Sequence, residues 1–255
     1  MINIYLSKYN FGDDTRVWAP WFGCTKLSEG CANCYIRPEK NKFDGLFHSF
    51  NHQDAKPGTF ITVSLNSDFF LEDADNLRPS AWLAIKNNPN LIFLIITKRI
   101  DRVMQCLPFD WGDGYDNVII CATTENQKRA DERIPILLDL PAKHKWITCS
   151  PLLEPIDLTP YLKTGKIEIV EITGEKNCEK LARPTKYEWI ADIHKQCVEC
   201  DVRFSMLYLG DNFIMPDSTI IRDWAPWYRS EKADSLGLFN YKPITFNLQD
   251  ITITY

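Results

Sequence analysis

Apolar residues fall in short runs along most of the chain, and each run is followed by a polar break. Six runs of this kind lie at residues 59–70, 91–99, 117–125, 145–153, 166–175 and 203–210. Four stretches between them carry apolar residues at helical spacing, at 78–89, 100–108, 126–141 and 185–201. Most of the runs do not alternate with polar residues, which is typical of strands buried on both faces of a parallel sheet. The pattern therefore predicts an α/β fold in which strands and helices alternate.

The number of strand–helix units indicates the architecture. Residues 15–21 add a further strand ahead of the six runs, although Pro20 is unfavourable inside a strand. So many consecutive units fit a partial or full (β/α) barrel better than a small open sheet. We expect residues 1–210 to form this barrel with its N-terminal loop. Residues 211–255 are predicted to form an irregular C-terminal extension packed on the same domain, with one or two strands in 241–255.

Composition and charge narrow the classes of function. The chain of 255 residues is 45% apolar and 25% charged, which is ordinary for a globular protein. Its formal net charge of −5 argues against non-specific binding of nucleic acid, because such binding depends on a basic surface. No apolar run approaches the roughly 20 residues of a membrane span, and no secretory signal opens the sequence. We therefore expect a cytoplasmic protein without a membrane partner.

Three of the nine cysteines lie close together near the N-terminus. Cys24, Cys31 and Cys34 have the spacing C-x6-C-x2-C. In a reducing compartment, close thiols favour metal or redox chemistry over disulfides. Three soft ligands suit an iron–sulfur cluster, or a zinc ion completed by the distant His48 or His52. A thiol-rich loop that binds no metal is the third alternative.

The ends of the predicted strands are rich in polar residues. Ligands of parallel α/β folds bind at the carboxyl ends of the strands. In this chain those ends fall at residues 66–68, 97–99, 123–126, 150, 173–175 and 210–211. Most of these residues are polar and several are ionisable, although polar residues also end strands and cap helices. The sequence therefore predicts a polar site at this edge of the sheet.

A three-cysteine loop after a first strand, followed by a series of β/α units, resembles the radical S-adenosylmethionine (SAM) superfamily. That superfamily usually spaces its cysteines x3 then x2, whereas this chain has x6 then x2. More of the chain resembles an uncharacterised family of phage-encoded and bacterial three-cysteine proteins described as radical-SAM-like. The similar stretches include GCTKLSEGCANCY (23–35), SLNSDFF (64–70), ENQKRADERIPILLDLPA (125–142), SPLLEPIDL (150–158) and GEKNCEKLARP (174–184). The chain departs from that family at Ser150, where the family has a glutamate, and at Thr173, where it has a glycine.

The resemblance implies a barrel of the radical SAM type that carries a [4Fe–4S] cluster on Cys24, Cys31 and Cys34, with SAM on the fourth iron. One-electron cleavage of SAM would give a 5′-deoxyadenosyl radical that takes hydrogen from the substrate. The implied cofactor-binding residues are Ser67 and Asp68 for the SAM amine, Lys98 or Arg99 for its carboxylate, Thr123 and Glu125 for its ribose, and Asn33 and Tyr35 beside the cluster. Glu175 and Arg183 are the catalytic candidates, because they are expected to face the substrate.

The same interpretation implies a small-molecule or nucleotide substrate and an electron donor such as flavodoxin or ferredoxin. A nucleic-acid base is a further candidate, although the acidic net charge does not indicate it. Two alternatives stay open. One is a non-catalytic zinc- or cluster-binding protein in which the thiols staple the N-terminal loop, and the other is a degenerate barrel that has lost catalysis.

Overall fold

The computed structural model describes residues 15–34, 36, 42–176, 182–222, 235–238, 240–249 and 251–254. Strands and helices alternate along this part of the chain, as the apolar runs predict. In chain order the elements are β1 (Thr15–Trp18), β2 (Phe60–Val63), α1 (Arg78–Lys86), β3 (Ile92–Thr97), α2 (Val103–Cys106), β4 (Val118–Thr123), α3 (Gln127–Asp139), β5 (His144–Cys149), α4 (Thr159–Leu162), β6 (Ile169–Thr173), β7 (Thr185–Lys186), α5 (Tyr187–Glu199), β8 (Arg203–Tyr208), β9 (Asn212–Ile214), β10 (Ile220–Arg222), β11 (Thr245–Leu248) and β12 (Ile251–Thr254). Short 3-10 helices occupy Glu29–Cys31, Glu72–Ala74 and Ile100–Arg102.

Seven of the strands form one parallel sheet in the order β1-β2-β3-β4-β5-β6-β8. Each strand therefore joins the sheet beside the one before it and never on the opposite edge. Crossovers between parallel strands are right-handed, so steps in one direction carry the connections over the same face. The sheet curls into a half-barrel. The predicted α/β class and partial barrel are confirmed at this level.

The two faces of the sheet are covered by different parts of the chain. On the outer face, strand residues such as Ile61, Phe93 and Ile120 share a core with Ile134 of α3 and Ile190 of α5. On the inner face, the apolar layer consists of Phe60, Ile92, Leu94, Ile119, Cys121, Trp146 and Ile169, and it packs against Ile244, Phe246 and Leu248. Both faces of each central strand are thus buried, which explains why the runs lack alternation.

The described part of the C-terminal region contains β11 and β12 within residues 241–255, where one or two strands were predicted, and also β9 and β10, which were not predicted. Strands β9 and β10 pair antiparallel, and β9 also pairs with β7, so the three form a small second sheet. Strands β11 and β12 form an antiparallel hairpin. In β11, Phe246 and Leu248 are buried and alternate with exposed residues, so one face of the hairpin closes the inner side of the half-barrel. No helix in the described ranges is long and apolar enough to span a membrane.

The N-terminal cap of helix α3 determines where Glu125 lies at the end of β4. Asn126 caps the helix by accepting a hydrogen bond from the backbone N–H of Arg129 at 2.9 Å. Ala130, Ile134 and Leu137 follow at helical spacing and are fully buried. Because the cap directly follows Glu125, the helix holds this carboxylate at the carboxyl end of β4.

Candidate functional site

The three-cysteine loop lies across the carboxyl ends of the strands. Gly23 allows the loop to begin there, because its φ of +91° suits glycine and an added Cβ would meet the backbone of Lys42 at 2.5 Å. The N–H of Gly23 donates to the carbonyl of Asn66 at 3.2 Å, and the hydroxyl of Ser67 donates to the carbonyl of Gly23 at 2.5 Å. The segment after β2 therefore anchors the first part of the loop.

Arg99, just after β3, is the second anchor. Its guanidinium donates to the carbonyl of Thr25 at 3.1 Å and to the hydroxyl of the same residue at 2.6 Å. One of its nitrogens also lies 3.7 Å from the sulfur of Cys24. A cation at this distance favours the thiolate form of the cysteine, which is the form that binds metals. Arg99 thus joins the strand end to the first cysteine both mechanically and electrostatically.

Asp68 is buried and holds Arg99 in place. Its Oδ1 accepts from the Thr97 hydroxyl at 2.7 Å and from the N–H of Phe70 at 2.9 Å. Its Oδ2 accepts from the N–H of Lys98 at 3.1 Å and from Arg99 at 3.3 Å. Four donors from the chain itself therefore occupy the four lone-pair directions of this carboxylate.

Glu125 is the centre of the third anchor and is fully buried. Its Oε2 accepts from Arg133 at 2.8 Å, and its Oε1 accepts from the hydroxyl of Ser28 at 2.5 Å. The ammonium of Lys98 lies 3.4 Å from the same Oε1 and donates to the carbonyl of Ser150 at 3.1 Å. Gly30 packs directly on Glu125, since an added Cβ would lie 2.4 Å from its Cγ. The middle of the loop is thus seated on a buried carboxylate.

Glu175, after β6, holds the last part of the loop. It accepts from the side-chain amide of Asn33 at 2.9 Å and from the N–H of Arg183 at 2.7 Å, and it also pairs with the Arg183 guanidinium. Burial works to raise the pKa of Glu175, but the hydrogen bonds from Arg183 and Asn33 hold the pKa below its ordinary value. Arg183 also donates to the carbonyl of Glu29 at 3.0 Å, so it spans from the strand end to the loop.

The three thiols lie in one neighbourhood. Cys31 is buried, whereas Cys24 and Cys34 are partly exposed, and Cys31 interacts electrostatically with both. Burial raises the pKa of Cys24 to about 11 despite the opposing effect of Arg99, and burial likewise raises the pKa of Cys34. Both thiols are therefore protonated at neutral pH until a bound metal displaces the protons.

The thiols do not converge on one point. Within the described ranges, no group of three or more His, Cys, Asp or Glu side chains is arranged to hold a metal ion. The two histidines of the zinc alternative have other partners, since Nε2 of His48 pairs with Asp44 at 2.7 Å and Nε2 of His52 lies 2.9 Å from the carbonyl of Val17. The three cysteine sulfurs are soft ligands of the kind that bind zinc or iron–sulfur clusters.

The structure brings together most of the residues that the sequence singles out. Ser67, Asp68, Lys98, Arg99, Glu125, Asn33, Glu175 and Arg183 all contact the loop or one another, and Thr123 is buried on the strand that ends at Glu125. Tyr35 lies outside the described residues. Sequence analysis missed Ser28 and Arg133, which both bind Glu125. The contact of Arg133 could have been predicted, because Arg133 is about two helical turns beyond Glu125. Ser28 is 97 residues away from Glu125, and no local pattern connects them.

A groove of about 630 Å³ lies elsewhere, on the outer surface between α1 and the segment that follows α2. Its charged residues pair among themselves, as Arg78 does with Asp75 at 2.6 Å and Lys86 does with Asp110. None of the residues that anchor the loop lines this groove. The polar groups that could bind a cofactor are concentrated at the strand ends.

Comparison with known proteins shows to which family the chain belongs. No curated protein and no solved structure gives a significant match. The profile of one family, described as a protein of unknown function (DUF5131), matches residues 7–219 and so covers the loop, the half-barrel and strands β7 and β9 of the second sheet. The chain therefore belongs to the DUF5131 family.

Proposed function

We propose that this protein is a radical SAM enzyme that acts on a small molecule or a nucleotide. The observation that carries the proposal is the seating of the three-cysteine loop on the ends of β2, β3, β4 and β6. When bound, a [4Fe–4S] cluster with SAM would supply one-electron cleavage of the sulfonium and hydrogen abstraction from the substrate. Cys24, Cys31 and Cys34 are the residues that would hold the cluster.

The surrounding residues have separate tasks in this proposal. Arg99 lowers the free energy needed to form the Cys24 thiolate. Asp68 accepts hydrogen bonds from four donors of the chain, so it orients Arg99 and has no acceptor direction left for the SAM amine. Lys98 has two partners, Glu125 and the carbonyl of Ser150, and its ammonium group can donate a third hydrogen bond. It is therefore a better cation than Arg99 for a ligand carboxylate. Thr123 stays the candidate for the SAM ribose, and Glu125 chiefly seats the loop.

Glu175 and Arg183 are still proposed to face the substrate. They also hold the loop, because Glu175 accepts from Asn33 and Arg183 donates to the carbonyl of Glu29. A substrate that displaces the Arg183 guanidinium would break its contacts with Glu175 and with the carbonyl of Glu29, so substrate binding would be coupled to the position of the loop. The electron must come from an external donor, for which flavodoxin and ferredoxin are the candidate classes.

The test is anaerobic reconstitution with iron and sulfide, followed by reduction in the presence of SAM. We expect the chain to take up a full cluster and to convert SAM into methionine and 5′-deoxyadenosine. Cys31→Ala and Cys34→Ala should lose both properties, whereas Cys106→Ala should keep them, because Cys106 is partly exposed like Cys34 but lies outside the loop. Full retention of iron and sulfide by Cys31→Ala would refute the proposal.

A second candidate is a cluster-binding or zinc-binding protein without catalysis. The observation that favours it is the mutual pairing of charged groups at the strand ends, which is most complete at Asp68. A protein that takes up metal through the three cysteines but leaves SAM intact under strong reductant would support this candidate. Iron content and SAM cleavage, measured on the same sample, separate the two functions.

A further inference from the structure

Four polar side chains form a row across the inner face of the half-barrel. Thr123, Thr148, Glu171 and Ser205 occupy neighbouring strands and are aligned by the register, with Thr123 opposite Thr148, Thr148 opposite Glu171 and Glu171 opposite Ser205. They share the inner face because side chains alternate along a strand, and the apolar inner layer contains Cys121, Trp146 and Ile169, each two residues earlier. Neighbouring strands lie about 4.8 Å apart, so the row is continuous.

The row lies between the apolar layer and the level of the loop. Towards the amino ends of the strands, the C-terminal hairpin closes the inner side with Ile244, Phe246 and Leu248. Towards the carboxyl ends, the hydroxyls of Ser150 and Thr173 are 2.6 Å apart. Lys98 and Ser150 are only partly buried there. The inner side is therefore filled below the row and accessible above it.

Glu171 is the unusual member of the row. Its side chain is 1% exposed, and its Oε1 has no hydrogen-bond partner in the part of the chain that the structure describes. Burial raises the pKa of Glu171 to about 7, against the opposing effect of Arg203 one layer below. Arg203 itself donates to the carbonyl of Lys242 at 3.4 Å and stacks on Tyr241. A buried acceptor without a partner destabilises a fold unless a ligand satisfies it.

We infer that this row is the inner wall of a ligand site and that Glu171 accepts a hydrogen bond from a hydroxyl or amino group of the ligand. The three hydroxyls can both donate and accept, and Glu171 can only accept when it is ionised, so the row favours a hydrogen-bond donor over a phosphate or a carboxylate. Lys98, at the neighbouring strand end, is already paired with Glu125 and Ser150. The end of the substrate that enters the half-barrel is therefore a hydrogen-bond donor. The identification of this ligand as the substrate rests on the proposed function, whereas the binding site itself does not.

The binding test uses the full chain without reconstitution, so it does not depend on a cluster. Adenosine and cytidine serve as neutral donors, 1,4-diaminobutane as an ammonium donor, and inorganic phosphate and acetate as anions, with ligand-observed NMR as the measurement. We expect at least one donor to bind and both anions to bind more weakly. Glu171→Met, which removes the acceptor at nearly constant volume, should weaken binding at least tenfold. Glu199→Met, an exposed glutamate on α5, is the matched control and should bind normally.

Two further variants sharpen the result. Glu171→Gln keeps an acceptor but no charge, so it should retain a neutral donor and lose an ammonium donor. Thr148→Val removes one hydroxyl of the row while it preserves the side-chain shape, and it should weaken binding severalfold. Binding by none of the donors, tighter binding of an anion, or unchanged binding in both Glu171→Met and Thr148→Val would overturn the inference.

Unfolding by denaturant separates this role from a structural one. If Glu171 serves a ligand, Glu171→Met should unfold at the same or a higher denaturant concentration than the natural chain, because a buried unsatisfied carboxyl has been removed. A clear drop in the midpoint would show that Glu171 supports the fold through Arg203 and would overturn the inference. Failure of SAM cleavage would refute the proposed enzyme and would leave these binding results unaffected.

Discussion

At the scale of single residues, Gly30 marks the closest approach between the loop and the sheet. An alanine Cβ at this position would lie 2.4 Å from Cγ and 2.5 Å from Oε1 of Glu125, and Glu125 is held by Arg133 and Ser28. Such crowding in a packed interior costs about 1–3 kcal/mol. We therefore expect Gly30→Ala to lower the free energy of unfolding by that amount, as measured with urea.

The control for Gly30→Ala is Gly45→Ala. Gly45 has a φ of +66° and open space around it, so alanine there meets backbone strain but no neighbouring atom. Its expected loss of about 1 kcal/mol is the backbone contribution alone. An equal or smaller loss in Gly30→Ala would mean that the loop does not press on Glu125.

Glu171 gives a prediction about pH. Burial raises its pKa from 4.5 in the unfolded chain to about 7 in the folded protein. The folded state therefore binds the proton more tightly, and this contribution to stability is complete below pH 4.5 and is lost as the pH rises through 7. The total loss is roughly 3 kcal/mol. Urea unfolding of the natural chain and Glu171→Gln between pH 4.5 and 8 isolates the effect, and a constant difference in stability across that range would contradict it.

At the scale of elements, the strands were predictable and their long-range partners were not. Each apolar run carries its own signal, and even the 15–21 segment with Pro20 forms β1, because its strand ends at Trp18. The anchoring of the loop depends on pairs such as Arg99 with Thr25 and Ser28 with Glu125, which are 74 and 97 residues apart. No local pattern encodes such pairs. They follow only from the order of the strands in the sheet.

The C-terminal hairpin is an example with a measurable consequence. Alternation in β11 predicts that one face is buried, but it does not say that this face packs inside the half-barrel. Phe246 is fully buried there, with ring centroids 5.7 Å from Phe60 and 4.3 Å from His144. Phe246→Ala should therefore cost about 3–5 kcal/mol of stability. Phe109→Ala, at a fully exposed phenylalanine, should change stability by less than about 0.5 kcal/mol, and similar losses in both variants would contradict the packing.

At the scale of the whole molecule, the loop connects strand ends that are otherwise separate. Ser67 and Arg99 hold its first part, Glu125 its middle, and Glu175 with Arg183 its last part. The hairpin closes the opposite end of the half-barrel. The polar row lies between the loop and the hairpin, so opening of the loop would widen access to the row from the carboxyl ends of the strands.

Release of one anchor should make the thiols more reactive. Arg183→Ala removes the cation that pairs with Glu175 and the donor to the carbonyl of Glu29, so the loop end that carries Cys34 should open more often. We expect iodoacetamide to label Cys34 at least severalfold faster, measured by mass spectrometry of the cysteine peptides. Arg16→Ala, which breaks an exposed pair with Asp54, should leave the rate unchanged. An equal acceleration at the buried Cys121 would indicate general unfolding, and an unchanged rate at Cys34 would mean that Arg183 does not hold the loop. Faster labelling of Cys34 alone would establish the loop as a unit that opens independently of the sheet beneath it.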